Sequence, residues 1–396
     1  MQTTGRIDRH ILFLNWRDTL NPEGGGSEVY VERIAGELVA RGHRVTILCA
    51  AHDAAPARQR TPEGVEIVRR GGRKTVYAMA ALTYLAGALG VGPLSRRALG
   101  RPDAIVDVGN GLPFLSAAYA RRPVVALVHH VHREQWPVVL GRLGAKFGWW
   151  VESKLAIRVY RDCRYVTVSA ATAGELTELG VDADRISIVH NGTPPVPDAV
   201  HDRDPEPHLV VLGRLVPHKR VEIALRTVAA LRPGLPGLRL TVAGKGWWEP
   251  NLRQLAVELG IADAVRFAGF ITEDEKHRLL SEAWVALTPS LKEGWGLTIV
   301  EAGARRTPTV AFADAGGVTE ALVDRSTGLL ATDEAHFIEL VRQLMTDDDR
   351  RLAMGADAEL HAKSFTWQTS GTRFAALLAP QAEPRRLTET APVTSA

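Results

Sequence analysis

The sequence reads as an α/β protein of two Rossmann-like domains in tandem facing a central cleft. Three observations predict this. The chain has 396 residues, more than one hydrophobic core usually organises, so two domains of ~180 residues each are expected. Short aliphatic and β-branched runs alternate with helical periodicity through both halves, and several are continuously apolar, as parallel strands covered on both faces are. A proline-rich polar stretch interrupts the alternation near the middle.

In the first domain, 1–192, strands are expected at 11–15, 45–50, 65–69, 104–108, 124–129, 165–169 and 186–189. The first helix follows Gly24-Gly25-Gly26. Val31, Ile34, Ala35, Leu38 and Val39 fall on one face, with Ser27 the expected N-cap and Gly42 the stop. The uncharged stretch 76–94 approaches a membrane span in length, but Gly87, Gly90, Gly92, Pro93 and its alanines dilute the hydrophobicity. A buried or amphipathic helix with Tyr77, Leu82 and Leu85 inward is therefore expected. Residues 135–161 mix Trp136, Trp149 and Trp150 with Arg142, Lys146, Lys154, Arg158 and Arg161. That pattern suits a helix lying on an anionic membrane and also one packed against the protein.

The prolines and charges of 193–207 cannot continue a central strand and are expected to form a linker. In the second domain, 208–365, strands are expected at 209–212, 238–243, 265–270, 285–289 and 309–312. A helix at 366–380 fits either domain and is assigned to a return onto the first. The polar tail 381–396 is expected to be disordered.

With 45% hydrophobic and 23% charged residues, the composition is that of a globular protein rather than a disordered or membrane-embedded one. Residues 1–200 hold 25 Lys/Arg against 19 Asp/Glu within a net charge of +3 for the whole chain. The first half is therefore the basic one, suited to an anionic acceptor or bilayer surface or simply solvated. Cys49 and Cys163 lie far apart in apolar runs and are expected to be unpaired thiols. The N-terminal residues contain no apolar h-region, so a cytoplasmic location is expected, with peripheral attachment to the inner membrane face as a variant.

Four groups of residues carry chemistry. The run Gly24-Gly25-Gly26 sits between a strand and a helix start, where backbone amides can approach a phosphate. Arg214 and Lys219 flank the end of the second domain's first strand. There they pair a planar fork with a mobile point charge, a combination suited to a diphosphate. Glu293 and Glu301 bracket Gly294, Trp295, Gly296 and Leu297 at another strand-to-helix turn, so one carboxylate can reach a sugar hydroxyl and the other a ribose. His129-His130-Val131-His132 suggests a metal site, but alternation along a strand would put neighbours on opposite faces and no carboxylate cluster accompanies it.

Together these motifs, with His190-Asn191-Gly192, Gly213-Arg214-Leu215, Ala268-Gly269-Phe270, Pro289-Ser290, and Gly316-Gly317 with Glu320, resemble the retaining GT-B glycosyltransferases of the large bacterial family numbered four. The resemblance covers nearly the whole chain. It implies that Arg214 and Lys219 hold the donor's diphosphate, Glu301 the ribose, and Glu293 with the following amides the transferred sugar. Gly25 and Gly26 would close on the distal phosphate, and His129 would lie near the anomeric centre. Phe270 and Ile271, with Glu273 or Lys276, would meet the nucleobase. It implies no metal or other cofactor, and a reaction on one face of the sugar in which the leaving phosphate helps to deprotonate the acceptor. The partners would be a UDP- or GDP-linked hexose and a glycan, lipid or small-molecule acceptor held by the first domain through residues such as Asn15, Arg17 and Asn110; no nucleic acid is expected. A non-catalytic nucleotide-sugar-binding protein and a nucleotide-sugar epimerase are the alternatives on the same fold.

Overall fold

The computed structural model describes residues 8–194 and 202–379. The first domain is built on β1 (His10–Leu14), β2 (Arg44–Cys49), β3 (Arg58–Arg60), β4 (Glu66–Arg69), β5 (Ala104–Gly109), β6 (Val124–Val128), β7 (Arg164–Thr167) and β8 (Ile186–Ile188). Their order in the sheet is β3-β4-β2-β1-β5-β6-β7-β8. Every pairing is parallel except that of β3, which runs antiparallel to β4 at the edge. The second sheet contains β9 (His208–Leu212), β10 (Arg239–Ala243), β11 (Val265–Gly269), β12 (Val285–Thr288), β13 (Thr309–Phe312) and β14 (Gly328–Ala331) in the order β11-β10-β9-β12-β13-β14, parallel throughout. The tandem α/β architecture is thus present, with two short strands, β3 and β14, beyond those expected.

β1 shows why the sheets are central. All five of its residues are buried, and alternate side chains serve opposite layers: Ile11 and Phe13 pack with Tyr30 and Ile34, Leu12 and Leu14 with Val76 and Tyr84. Each such side chain contributes roughly 1.5–3 kcal/mol of burial. In both sheets the strand order reverses beside the first strand of the domain, between β1 and β5 and between β9 and β12. Crevices for ligands form at the carboxyl ends of strands at such reversals.

The helix Gly26–Ala40 starts one residue before the expected cap. Gly25 is the N-cap, its amide donates to the Glu28 carboxylate at 2.8 Å, and the Ser27 hydroxyl turns to the same carboxylate at 2.9 Å. Gly42 follows the helix in a left-handed conformation, φ +90°. Helix Val76–Ala88 buries Val76, Ala80, Thr83, Tyr84 and Gly87, whereas Leu82 and Leu85 face outward. Small residues, rather than the leucines, are on the packed side: a β-carbon at Gly87 would stand 2.8 Å from Leu94, in the loop that folds back on the helix. Among the described residues no helix is long and apolar enough to cross a membrane. Helix Trp136–Trp150 kinks at Gly141 and continues into a π-helical turn, Val151–Ala156. Trp136 is buried, Trp149 is half-buried, and Trp150 is exposed; the Arg142 side chain lies outside the described residues. Cys49 and Cys163 are unpaired, the former buried.

Of the stretch 193–207, residues 195–201 lie outside the described residues, and the flanks are fastened. Thr193 donates to the Phe365 carbonyl at 2.9 Å, and Arg203 reaches carbonyls at Ala283 and Arg306. Helix Trp367–Leu378 packs on Gly26–Ala40, with Phe374 stacked on Phe13 at 5.9 Å and the Arg41 guanidinium donating to the Gln368 carbonyl at 2.7 Å. The tail 381–396 lies outside the described residues.

Candidate active site

Four strand ends at the two order reversals deliver the site. Asn15 follows β1, Asn110 follows β5, Arg214 follows β9, and Ser290 stands just beyond β12. Across the cleft, a β-carbon at Gly25 would lie 3.4 Å from Arg214 Nε, so the glycine loop of one domain rests on a guanidinium of the other. Among the described residues Arg214 has no carboxylate in ion-pair range, leaving its charge available to an anion. The Gly25 amide itself is engaged by Glu28, so the glycine contributes close approach more than a free donor; Gly26 has open space around it.

Beside Arg214, Lys219 Nζ lies 2.5 Å from Glu293 Oε1, which also accepts the Ser290 hydroxyl at 2.7 Å. Burial opposes ionisation of Glu293, yet Lys219, Ser290 and His218 outweigh it and hold the carboxyl below its usual range. The chain then turns through Gly294 and Gly296. A β-carbon at Gly294 would meet the His129 carbonyl oxygen at 2.5 Å, and Gly296 starts the helix Leu297–Gly303 at φ +102°, a conformation that suits glycine. Glu301, buried in that helix, is bonded to Lys276 at 2.7 Å, which also pairs with Glu273 at 2.9 Å. Burial pushes the Glu301 carboxyl up and Lys276 partly offsets it. Phe270 stands exposed on the same rim, with Ile271 half-buried.

Trp295 does not face the cleft. Its ring is buried, stacked on His190 at 4.6 Å and edge-on to Phe365 at 4.9 Å, because the left-handed turn at Gly296 directs the preceding side chain into the junction between domains. There it is joined by Glu320, whose carboxylate accepts the Ala170 amide at 2.6 Å and the His190 ring at 3.1 Å. Lys292 bridges to Glu134 at 3.0 Å and Glu175 at 2.5 Å in the first domain.

His129 lies just past the end of β6, buried edge-on against Tyr30 at 5.1 Å, with Nε2 unpartnered among the described residues. Burial, aided by His132, pushes it down to about 3, so its imidazole is neutral. Since β6 stops at Val128, strand alternation does not govern the histidines that follow, and the His130 and His132 rings come within 4.1 Å of each other. Among the described residues no three His, Cys, Asp or Glu side chains group as a metal site. On the first-domain side, Asn15 donates to the Arg17 carbonyl at 2.7 Å, and Asn110 Nδ2 lies 3.2 Å from the Ser27 hydroxyl. Arg17 is buried over Trp16 and paired with Glu23 at 3.0 Å.

Two family models divide the chain between them: that described as Glycosyl transferase 4-like domain matches residues 25–192, and that described as Glycosyl transferases group 1 matches residues 198–361. The chain belongs to the group 1 glycosyltransferases. A D-inositol 3-phosphate glycosyltransferase of Streptomyces scabiei is 34% identical to this glycosyltransferase over 230 residues, 52% of this chain and 51% of that one. The match thus spans about half the length of that relative. A GDP-mannose-dependent alpha-(1-6)-phosphatidylinositol monomannoside mannosyltransferase of Mycolicibacterium smegmatis is 29% identical over 92% of this chain and 97% of its own length. Among solved structures, sucrose-phosphate synthase from Thermosynechococcus elongatus superposes with a TM-score of 0.77 at 18% identity, covering 93% of this chain and 98% of that one. Anabaena HepE in complex with UDP-glucose gives 0.71 at 18% identity, covering 93% and 99%. These likenesses show the fold.

The spacing of Arg214, Lys219, Glu293 and Glu301 is legible in the sequence; the structure lines one pocket with Arg214 and Lys219 and pairs Lys219 with Glu293, while Glu301 is buried against Lys276. The contacts Lys292–Glu134 and Glu320–His190 are not, because they join residues 158 and 130 positions apart in sequence. Glu28 could have been found from its place three residues after Gly25, the capping-box interval.

Proposed function

We propose that this glycosyltransferase moves a hexose, with retention at the anomeric carbon and without a metal ion, from a UDP- or GDP-linked donor to an acceptor held by the first domain. The carrying observation is Arg214, without a carboxylate in ion-pair range among the described residues, beside Gly25 and in one pocket with Lys219, which is itself paired with Glu293: cations for a diphosphate next to a carboxylate for a sugar. Arg214 and Lys219 neutralise the leaving diphosphate, taking the part a divalent cation plays elsewhere. Glu293 and the amides at 294–297 hold the sugar against the neutral imidazole of His129. Glu301, kept in place by Lys276, takes the ribose hydroxyls, and the exposed rim at Phe270 and Ile271 takes the base. Asn15, Arg17 and Asn110 line the acceptor side. The GDP-mannose dependence of one relative and the UDP-glucose complex of a structural neighbour support a nucleotide-sugar donor, and the relatives' names make inositol-bearing acceptors the first to try.

Thermal shift with UDP, GDP, UDP-glucose and GDP-mannose tests the donor reading; a saturating ligand at ~100 times its Kd stabilises by ~2.7 kcal/mol. Glu293→Ala should lower turnover at least ~100-fold while nucleotide affinity stays within about threefold. Unchanged turnover would sink the assignment of Glu293.

The exposed Phe147 and Trp150, among the exposed Lys146, Lys154 and Arg158, support peripheral contact with an anionic membrane. Cosedimentation with phosphatidylglycerol vesicles, lost in Phe147→Ser/Trp150→Ser, is the expected result; no binding by the wild type removes this reading.

A further inference from the structure

The helix Ala170–Glu178, between β7 and β8, has first amides that must find partners outside its own ladder. Ser169 satisfies two of them: its hydroxyl accepts the Thr172 amide at 3.2 Å and its carbonyl the Ala173 amide at 3.1 Å. The other two are met by the second domain. One oxygen of the Glu320 carboxylate accepts the Ala170 and Ala171 amides at 2.6 and 3.4 Å, and the other lies 3.1 Å from the His190 ring. A carboxylate placed there also meets the positive end of the helix dipole. On the second turn of the same helix, Glu175 pairs with Lys292 at 2.5 Å, and Glu134 reaches the same ammonium at 3.0 Å. Glu134 is 46% exposed and Glu175 31%, so Glu175 is the stronger partner, since solvent screens the more open pair. Burial opposes the charge on Lys292, yet the two carboxylates outweigh it and hold the ammonium above its usual range.

Both second-domain residues are tied to the backbone of Glu293. Lys292 is its chain neighbour. Glu320 stands three residues after Gly317, whose amide donates to the Glu293 carbonyl at 3.0 Å, while the Glu293 amide donates to the Ala315 carbonyl at 3.0 Å. Glu293 and Gly316 thereby form a parallel bridge. A β-carbon at Gly317 would stand 2.1 Å from the Gly294 oxygen, so the segment 315–317 lies directly on the loop that carries Glu293, with no room for a side chain between. From behind, the His361 ring is 3.1 Å from the Glu320 carbonyl. The pocket lined by Arg214, Lys219 and Ser290, in contrast, is built from second-domain residues alone.

We propose, resting on the transferase reading above, that Glu320 and Lys292 are positioning residues for Glu293. By gripping the helix Ala170–Glu178 at its start and on its second turn, they fix the backbone of Glu293 relative to the first domain. The sugar held by Glu293 is thereby set against His129 and the acceptor. The grip serves transfer and not nucleotide binding, because the cations for the diphosphate stand in a pocket that the first domain does not line.

The experiment uses the full chain with UDP-glucose and GDP-mannose, with water and D-inositol 3-phosphate as acceptors, and reads kcat, the Kd of UDP or GDP, and the scattering radius with nucleotide bound. A shift of ~1 Å at the reacting centre is worth ~100-fold, so Glu320→Gln and Lys292→Met should each lower kcat ~10- to 100-fold and enlarge the radius. The Kd should stay within about threefold, a split that a general loss of structure would not give. Lys292→Arg should recover most of the rate, and Lys292→Glu should regain at least ~10-fold when Glu175→Lys is added, because the swapped pair restores the attraction. If Glu320→Gln binds no nucleotide, the Lys292 series decides alone. If neither acceptor supports turnover, the radius decides in its place. A kcat within threefold of wild type, a Kd weakened as much as kcat, or an unchanged radius overturns the proposal while leaving the transferase reading intact. A wild-type chain that binds neither nucleotide overturns that reading and this one with it.

Discussion

Gly294 sets how closely the two domains approach. Its missing β-carbon would stand 2.5 Å from a backbone oxygen of the other domain, and a carbonyl cannot rotate aside as a flexible side chain can. Gly294→Ala therefore wedges the two domains apart beside Glu293 and His129, where the proposed function puts the sugar. A displacement of ~1 Å there is worth ~100-fold in rate, so kcat should fall by about that factor while nucleotide binding to the second domain changes little. Small-angle scattering should show a larger radius of gyration with bound nucleotide; an unchanged radius and rate would mean that the close approach has no role. Lys219 is the complementary case. It counters the burial that opposes ionisation of Glu293, so Lys219→Met removes a cation from the proposed diphosphate position and raises the proton affinity of the carboxyl. Loss of a charge-assisted hydrogen bond of ~1.5–3 kcal/mol predicts UDP or GDP affinity lowered roughly 10- to 100-fold by calorimetry.

The helix Trp367–Leu378 crosses back onto the first domain although it follows the second in sequence. Trp367 is buried, edge-on to Tyr30 at 6.0 Å and against Gly192. Trp367→Ala should cost ~3–5 kcal/mol of stability, read from the urea midpoint, while Trp150→Ala, at an exposed position, should cost little. What the sequence discloses about such elements depends on whether the signal is local. β1 and β13 are continuous apolar runs and are legible as such. β3 is Arg58-Gln59-Arg60, an antiparallel edge with nothing apolar to read, and β14 is Gly328-Leu329-Leu330-Ala331, apolar but without a β-branched or aromatic residue to mark a strand. In helix Val76–Ala88 apolar residues occupy every face, so periodicity does not choose between Leu82 and Ala80; packing room does. The glycine loop, Arg214 and the Glu293 segment were readable because each sits at a strand end, where topology alone directs ligands. The orientation of Trp295 was not, since it depends on a left-handed residue after it and on a partner from the other domain.

At the scale of the molecule, the junction between domains gathers imidazoles that the fold keeps neutral. His129 is pushed down to about 3 and His218 to about 4, in both cases first by burial, and His130 lies well below its ordinary range. The unfolded chain binds protons at these positions from about pH 6.5 downward, whereas the folded chain does not until much lower pH. The unfolded state therefore holds more protons in that window, and stability is full above ~6.5 and declines as pH falls towards the folded values. Each group contributes ~1.4 kcal/mol per pH unit inside the window. Glu301 works the other way: its raised carboxyl makes the folded state bind a proton more readily than the unfolded one, which favours folding as pH falls through its own range. Asp107, fully buried and likewise raised by burial, acts in the same sense. Between about pH 6.5 and 5 the three lowered imidazoles act against these two carboxyls, whose opposing effect lies between their unfolded value of ~4 and their raised folded value, and the larger number of histidines sets the net sign. Urea unfolding should accordingly give a midpoint that drops steeply from pH 7 to pH 5. In His129→Asn, which keeps a neutral polar side chain without a titrating nitrogen, the pH slope should be shallower by about one proton. An identical slope in the variant would show that His129 takes up its proton in the folded state as readily as in the unfolded chain. Because these residues lie where the two domains meet, the same acidification should loosen the cleft before either sheet unfolds, with scattering reporting an enlarged radius at a pH where the far-ultraviolet dichroism is still native.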